Sequence, residues 1–498
     1  MGSAHAVLEV RDVVKTYGGV RALGGVSLAL EPGEVHCLAG ENGSGKSTLI
    51  KIISGVERPD SGVLVIDGHT LSHTTPSDAI RAGVQVIYQD FSLFPNLTAA
   101  ENIAMLDELA ARRRLSSRRR IRAAAQRVVE TLGLDIDLDA DVAELSVADR
   151  QLIAICRALV GSAKVLIMDE PTTALTHSEV RRLFSVVRRL QERGVAIMFV
   201  SHKLDEVLQI SQRVTVLRNG EVVASGPASA HTARSIAKAM TGRDISDERI
   251  VQPLAPDAAP LMVVNGLGRK GAFSDVDFTL SSGEILGITG LLGSGRGEIA
   301  DAIFGVAPAD TGTIAVSGRQ HTIRSIADGV RAGIGYVPED RLTQGLFLEK
   351  SIADNMVAAS LDSYRTRARL LDRRRISGSI AELFARLRIK APHVQAPVRS
   401  LSGGNAQRVV IAKWLDRNPA VLMLNGPTVG VDIGSKEEIF AILRAQAAQG
   451  TGIIVISDDI PELAANCHRV LIVRSGRIVA ELAGDEIDVD RIEERMTA

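Results

Sequence analysis

Residues 40–47 read GENGSGKS, a run of the form G-x-x-x-x-G-K-[ST] between the strand-like VHCLA and the helix-like TLIKII. Glycines in such a run let backbone N–H groups wrap phosphate oxygens, and the helix behind it turns its N-terminus toward the negative charge. Gly40, Glu41, Asn42, Gly43, Ser44, Gly45, Lys46, Ser47 and Thr48 are therefore the candidate nucleotide-binding stretch. Lys46 is expected to reach the β- and γ-phosphates, and Ser47 to offer its hydroxyl to Mg²⁺. Residues 165–170, VLIMDE, form an apolar strand ending in two acids. Asp169 there can hold Mg²⁺ directly or through water, and Glu170 is placed to position or activate an attacking water. His202 follows the strand-like IMFVS and can contact a γ-phosphate. Gln89, in VIYQDFSLF, is a candidate sensor of γ-phosphate and Mg²⁺, and Tyr17 a candidate platform for adenine. These last three residue types also have ordinary packing roles; their position along the chain is what supports a chemical one.

A second phosphate clamp is written at 401–415, LSGGNAQRVVIAKWL. Ser402, Gly403 and Gly404 open a helix whose apolar positions follow at Val410, Ile411, Trp414 and Leu415, so small residues meet a helix N-terminus.

The elements that must position these groups are written twice. GEVHCLAGENGSGKSTL (33–49) matches GEILGITGLLGSGRGEI (283–299) at a spacing of 250 residues, and VLIMDEPTTALT (165–176) matches VLMLNGPTVGVD (421–432) at 256. Each copy runs from a β-rich segment through strand, loop and helix to a helical middle, roughly 100–160 in the first, then two more strands and a closing hairpin. That order predicts an α/β fold of two tandem P-loop domains, each with a mainly parallel sheet, a β subdomain and a helical subdomain. The expected domains are 1–250 and 261–498. The joint lies at VQPLAPDAAP (251–260), which has three prolines and is short enough to keep the halves close.

The copies differ where chemistry is expected. Arg296 stands for Lys46 and Gly297 for Ser47, Glu339 for Gln89, Asn425-Gly426 for Asp169-Glu170, and Asp458 for His202. By the same spacing Leu267 replaces Tyr17. Conversely, LSVADRQ (145–151) puts Val147 and Ala148 in place of the clamp glycines, and Asp149 adds a negative charge where phosphate would approach.

Composition limits the function class. A chain of 498 residues exceeds one core and fits two or more domains. Lys plus Arg (58) balance Asp plus Glu (59), which argues against a nucleic-acid partner. Cys37, Cys156 and Cys467 lie far apart with no metal-like spacing, which fits free thiols in a reducing compartment. No apolar run approaches a membrane span and no leader is legible at the N-terminus, so the chain alone reads as cytosolic and any membrane role needs partners. The arginine-rich runs 111–122 and 365–376 read as solvated helix surface rather than contacts to lipid or to an acidic partner.

Phosphate loop, glutamine, LSGG, D-E-P-T and histidine in this order resemble an ATP-binding cassette ATPase, over essentially the whole chain. GENG-x-GKSTL, FPNLTAAENI (94–103), PEDR (338–341) and LSGGN-x-Q resemble the fused double ATPase of bacterial monosaccharide importers of the ribose, galactose and xylose type. The resemblance implies ATP and Mg²⁺ as cofactors. It also implies a membrane permease, in two copies, with an extracytoplasmic sugar-binding protein, and a peripheral position on the cytoplasmic face of the bacterial inner membrane. It further implies head-to-tail pairing of the two cassettes, so that each ATP meets the P-loop of one and the LSGG clamp of the other. Lys46, Ser47, Asp169, Glu170 and His202 would then work with Ser402, Gly403 and Gly404, all intact, while the altered P-loop would face the altered clamp. That the altered parts fall together supports the pairing independently of the resemblance. The family commonly carries Arg at the second P-loop and lacks the second histidine but keeps both acids, so Asn425-Gly426 puts hydrolysis at the second site in doubt. Two other readings are a nucleoside or other small-polar-solute importer on the same plan, and a soluble twin-cassette protein acting on ribosomes or DNA. The last would be expected to carry a long basic interdomain arm or zinc cysteines.

Overall fold

Val84–Ile87, Val165–Asp169, Ala196–Val200 and Val35–Ala39 are apolar runs of four or five residues, too short for helices. Being rich in Val and Ile, they pair side by side as parallel strands covered on both faces. Arg213–Arg218 adds in parallel beyond Val35–Ala39, and Glu221–Pro227 closes the edge antiparallel, giving a six-stranded sheet. The computed structural model describes residues 6–71, 75–88, 92–110, 117–160, 163–172, 175, 177–201, 203–242, 251, 254 and 259–497. Gln89, His202, residues 111–116 and most of the joint at 251–260 lie outside the described residues.

The chain divides into two compact units, Met1–Ser246 and Asp247–Ala498. The second repeats the sheet in the same order, as Ile334–Val337, Val421–Asn425, Gly452–Ile456, Ile285–Thr289, Arg469–Arg474 and Arg477–Ala483. Each unit adds a four-stranded antiparallel sheet, built around Leu8–Tyr17 in the first and Pro260–Arg269 in the second. Each also carries a helical middle: Ala99–Ala110, Arg118–Thr131 and Val147–Val160, then Ile352–Val357, Arg373–Arg386 and Gly403–Leu415. The expected α/β plan, written twice, is what the chain adopts.

Helix His177–Glu192 shows how pattern becomes packing. Leu183, Phe184, Val187 and Leu190 follow helical spacing, are at most 2% exposed, and join Ile197 and Phe199 in one cluster. Phe184 meets Phe199 edge to face at 5.9 Å. No helix among the described residues is long and apolar enough to cross a membrane. Cys37, Cys156 and Cys467 are all buried. In the arginine runs, Arg118, Arg119, Arg373 and Arg374 are exposed, which a solvated surface and a contact surface share.

Strand register corrects one expectation. Leu267 pairs with Val276 and is 2% exposed, which is the place of Val13 opposite Val26, not of Tyr17. The reason is hairpin length. Lys15 pairs with Leu23 in the first unit, whereas Arg269 pairs with Phe273 in the second, so the second hairpin is four residues shorter. The tip that carries Tyr17 is missing from it.

On the central strand, His36 is 2% exposed. With its proton on Nδ1, it donates to Ala29 O at 3.2 Å, and Nε2 accepts from Thr215 Oγ1 at 2.8 Å. Burial, outweighing the Ala29 hydrogen bond, pushes its pKa down from 6.5 to about 4. The unfolded chain therefore binds this proton at higher pH than the folded one. The contribution of neutral His36 to stability is intact above pH 6.5 and is lost as pH falls toward 4, by about 2 kcal/mol between pH 7 and pH 5. Unfolding of the full chain, followed at both pH values, is expected to show this loss, and His36→Gln to reduce it. Equal pH slopes in the two proteins would remove His36 as its source.

Candidate functional site

The phosphate loop leaves the C-terminal end of the central strand, where ligands of open parallel sheets collect. Gly45 caps the helix Lys46–Ile53 with φ 109°, and a Cβ there would sit 2.7 Å from Ala22 O, so only glycine turns this corner. The closing hairpin supports the loop from beneath: its turn, Asn219-Gly220, has both φ angles positive, and Gly220 N donates to Ser44 O at 3.0 Å. The second unit repeats the support through Gly476 N and Ser294 O at 2.7 Å. Lys46, 6% exposed, folds over its own loop and donates to Gly40 O at 2.6 Å and Glu41 O at 2.9 Å. Asn42, Gly43 and Ser47 are exposed, Thr48 is half-buried, and the hydroxyl of buried Ser44 has no partner among the described residues.

Asp169 ends its strand opposite Val200 and is half-buried. Burial raises its pKa, the charge of Glu170 raises it further, and Lys46 lowers it. The ladder continues one bond beyond the strand, from Glu170 N to Val200 O at 2.9 Å, and Glu170 has φ 48°. Left-handed backbone is costly for a side-chain-bearing residue, and such positions cluster at functional sites. Tyr17, at its hairpin tip, is 41% exposed with Lys15 Nζ 5.2 Å from the ring centroid, a surface open for stacking.

Two fixtures escaped sequence reasoning. Thr172 Oγ1 donates to Glu206 Oε2, Ser201 Oγ reaches the same oxygen at 3.3 Å, and Lys203 Nζ lies 3.3 Å from Oε1. This buried carboxylate ties the loop after Glu170 to the segments flanking position 202. The second unit keeps the tie, Thr428 to Glu462, with the same separation of 34 residues, and that repeated spacing was the available signal. Burial, followed by the charge of Asp459, pushes Glu462 up to about 8. The other fixture is Arg341, which donates to the carbonyls of Val429 and Gly430.

Ser402 is exposed at the start of helix Gly403–Leu415 and accepts from Asn405 Nδ2 at 2.9 Å. A Cβ on Gly403 would meet Gly430 O at 2.8 Å, and one on Gly404 would meet Ser435 Oγ at 2.6 Å. The clamp of the first unit differs in kind: Ser146 Oγ donates to Asp149 Oδ2 at 2.7 Å, Asp149 N donates back to Ser146 Oγ at 3.1 Å, and Arg182 lies 3.3 Å from Oδ1. Ser146 thus caps this helix through the Asp149 N–H, and the Asp149 carboxylate it holds puts a negative charge at the N-terminus that would take phosphate.

In the second unit, Arg296 Nη1 donates to Gly290 O at 2.5 Å and Nη2 lies 3.5 Å from Asp458 Oδ2. A Cβ on Gly297 would be 3.7 Å from Asn425 Nδ2, so neither side of that gap offers an anionic or hydroxyl oxygen. Gly426 repeats the left-handed backbone with φ 59°, its N donating to Ile456 O at 2.8 Å. Glu339 Cγ lies 3.4 Å from where its Cβ would be.

Comparison with known proteins gives the following. The ABC transporter family pattern matches residues 23–173 and 273–429. Ribose import ATP-binding protein RbsA 1 of Rubrobacter xylanophilus is 44% identical over 98% of this chain and 97% of its own. RbsA 2 proteins of Streptomyces avermitilis (44% identical; 96% of this chain, 95% of theirs) and Burkholderia ambifaria (42% identical; 99% and 97%) are similar over the same extent.

The shared backbone at Glu170 and Gly426 yields opposite expectations for stability. Glu170→Gly is expected to stabilise the chain by about 1 kcal/mol, and Gly426→Glu to destabilise it by at least about that much. Denaturant midpoints of the two variants should move apart from wild type; movement in the same direction would show that the left-handed turn does not govern either.

Proposed function

The chain belongs to the ABC transporter family, and from that premise we propose that its two cassettes divide the work, one hydrolysing ATP and the other holding the assembly's second, non-hydrolytic site. The protein is an ATPase that energises sugar import and works peripherally at a membrane through permease subunits. We place it on the cytoplasmic face of the bacterial inner membrane, with two permease copies and an extracytoplasmic sugar-binding protein. The domains are 1–250 and 261–498, joined by 251–260.

The observation that carries the division is the asymmetry between the two strand ends: Asp169 and Glu170 in one unit, Asn425 and Gly426 in the other, on the same backbone. In the hydrolytic site, Lys46 exchanges the carbonyls of Gly40 and Glu41 for phosphate oxygens, and Tyr17 stacks on adenine. The Ser47 hydroxyl and the half-buried Asp169 carboxylate are hard oxygen donors of the kind Mg²⁺ takes, so these residue types fit the ion. When bound, the ion would neutralise phosphate charge. Glu170 orients the attacking water and takes its proton, while Gln89 and His202 contact the γ-phosphate. On head-to-tail closure Ser402, Gly403 and Gly404 close the site with their helix N-terminus. The second site, with Arg296, Gly297, Glu339, Asn425, Gly426 and Asp458, lacks the hydroxyl and the two acids that the first has in Ser47, Asp169 and Glu170.

Steady-state ATP turnover of the assembled transporter tests this division directly. Glu170→Gln is expected to lower it to background, a loss of about 10²–10³. Turnover retained near the wild-type rate would mean that the second site hydrolyses or that Glu170 is not the water-positioning acid.

A further inference from the structure

The second P-loop has kept its cradle and changed what lies at its far end. Ser294, 5% exposed, has a hydroxyl with no partner among the described residues, and this oxygen lies under the loop, 2.5 Å from where a Cβ on Gly290 would be. Ser44 is left in the same condition in the first unit. Buried hydroxyls are seldom left without a partner, and a phosphate oxygen in the loop would supply one. The helix Arg296–Phe304 and the loop's N–H groups point at the same place. Beyond it, where a third phosphate would extend, stand Asp458 and Glu339, while Gly297 and Asn425 replace the hydroxyl and the carboxylate that the first unit has at these places.

We propose that the second P-loop is a metal-independent nucleoside diphosphate site from which Asp458 excludes a triphosphate. This rests on reading residues 290–297 as a phosphate loop. Arg296 suits the task as lysine would not. Its guanidinium has five donors, so Nη2 can stay with Asp458 while Nη1 leaves Gly290 O for a β-phosphate. A γ-phosphate would meet the two carboxylates of Asp458 and Glu339 with only the Arg296 guanidinium, already shared with the β-phosphate, between them. Because the four-residue-shorter hairpin has no counterpart of Tyr17, the base contributes little and the phosphates decide affinity.

Calorimetric titration of the full-length Lys46→Ala chain, whose first P-loop is weakened, isolates this site. In EDTA, ADP is expected to bind once per chain and ATP at least about fivefold more weakly, since Asp458 is 70% exposed and its repulsion is screened. Asp458→Asn is expected to bring the two within about twofold, and Mg²⁺ to leave ADP affinity unchanged. Arg296→Ala should abolish the binding and Arg296→Lys should weaken it; thermal melts identify any variant that does not fold. No ADP binding in EDTA, equal affinities for ADP and ATP before substitution, or a ratio that ignores Asp458→Asn would each overturn the proposal. Turnover of Mg·ATP by the assembled transporter with Lys46 intact is read alongside. Its loss would count against the hydrolytic reading of the first site and leave this one standing.

Discussion

One hydrogen bond beyond the end of a strand governs both halves of this protein. The parallel ladder does not stop at Asp169; Glu170 N still reaches Val200 O, and at that residue the backbone turns off through the left-handed region. A glutamate there bears conformational cost for the sake of where its carboxylate lies. In the second unit the same bond, Gly426 N to Ile456 O, demands the same backbone, and glycine meets it without strain. Backbone geometry is thus kept where chemistry is not.

The supports around this turn follow the same rule. Both units hold the phosphate loop by a hairpin-turn N–H, through Gly220 and Gly476, and both tie the following loop to a buried glutamate, through Thr172 and Thr428. What they transmit is position: in both units the frame around the strand end is kept, while the side chains carried on it differ.

Much of this was legible in the sequence because the decisive features are local. GENGSGKS, VLIMDE and LSGGN each lie within a single strand–loop–helix step, and the repeat made their altered partners visible position by position. What stayed hidden depended on contacts between segments. Glu206 looks like any helix acid until the fold brings Thr172 and Ser201 to it. The partner of Glu170 N is a carbonyl thirty residues away, that of Val200. Leu267 failed for another reason: a constant spacing cannot reveal that residues are missing from a hairpin, because the alternation of apolar positions looks equally good at either register.

That hairpin also separates the two kinds of loss in the second cassette. Arg296, Gly297, Asn425 and Gly426 are single-residue differences, each within reach of one codon change. The absent tip is not; no exchange of one amino acid for another can rebuild a platform on backbone that is not there. A lineage carrying this chain could regain the first unit's residues at those four positions and still lack the hairpin tip that carries Tyr17 in the first. Its asymmetry is therefore fixed by chain length as well as by residue identity, and point mutation alone has no path back to two equal sites.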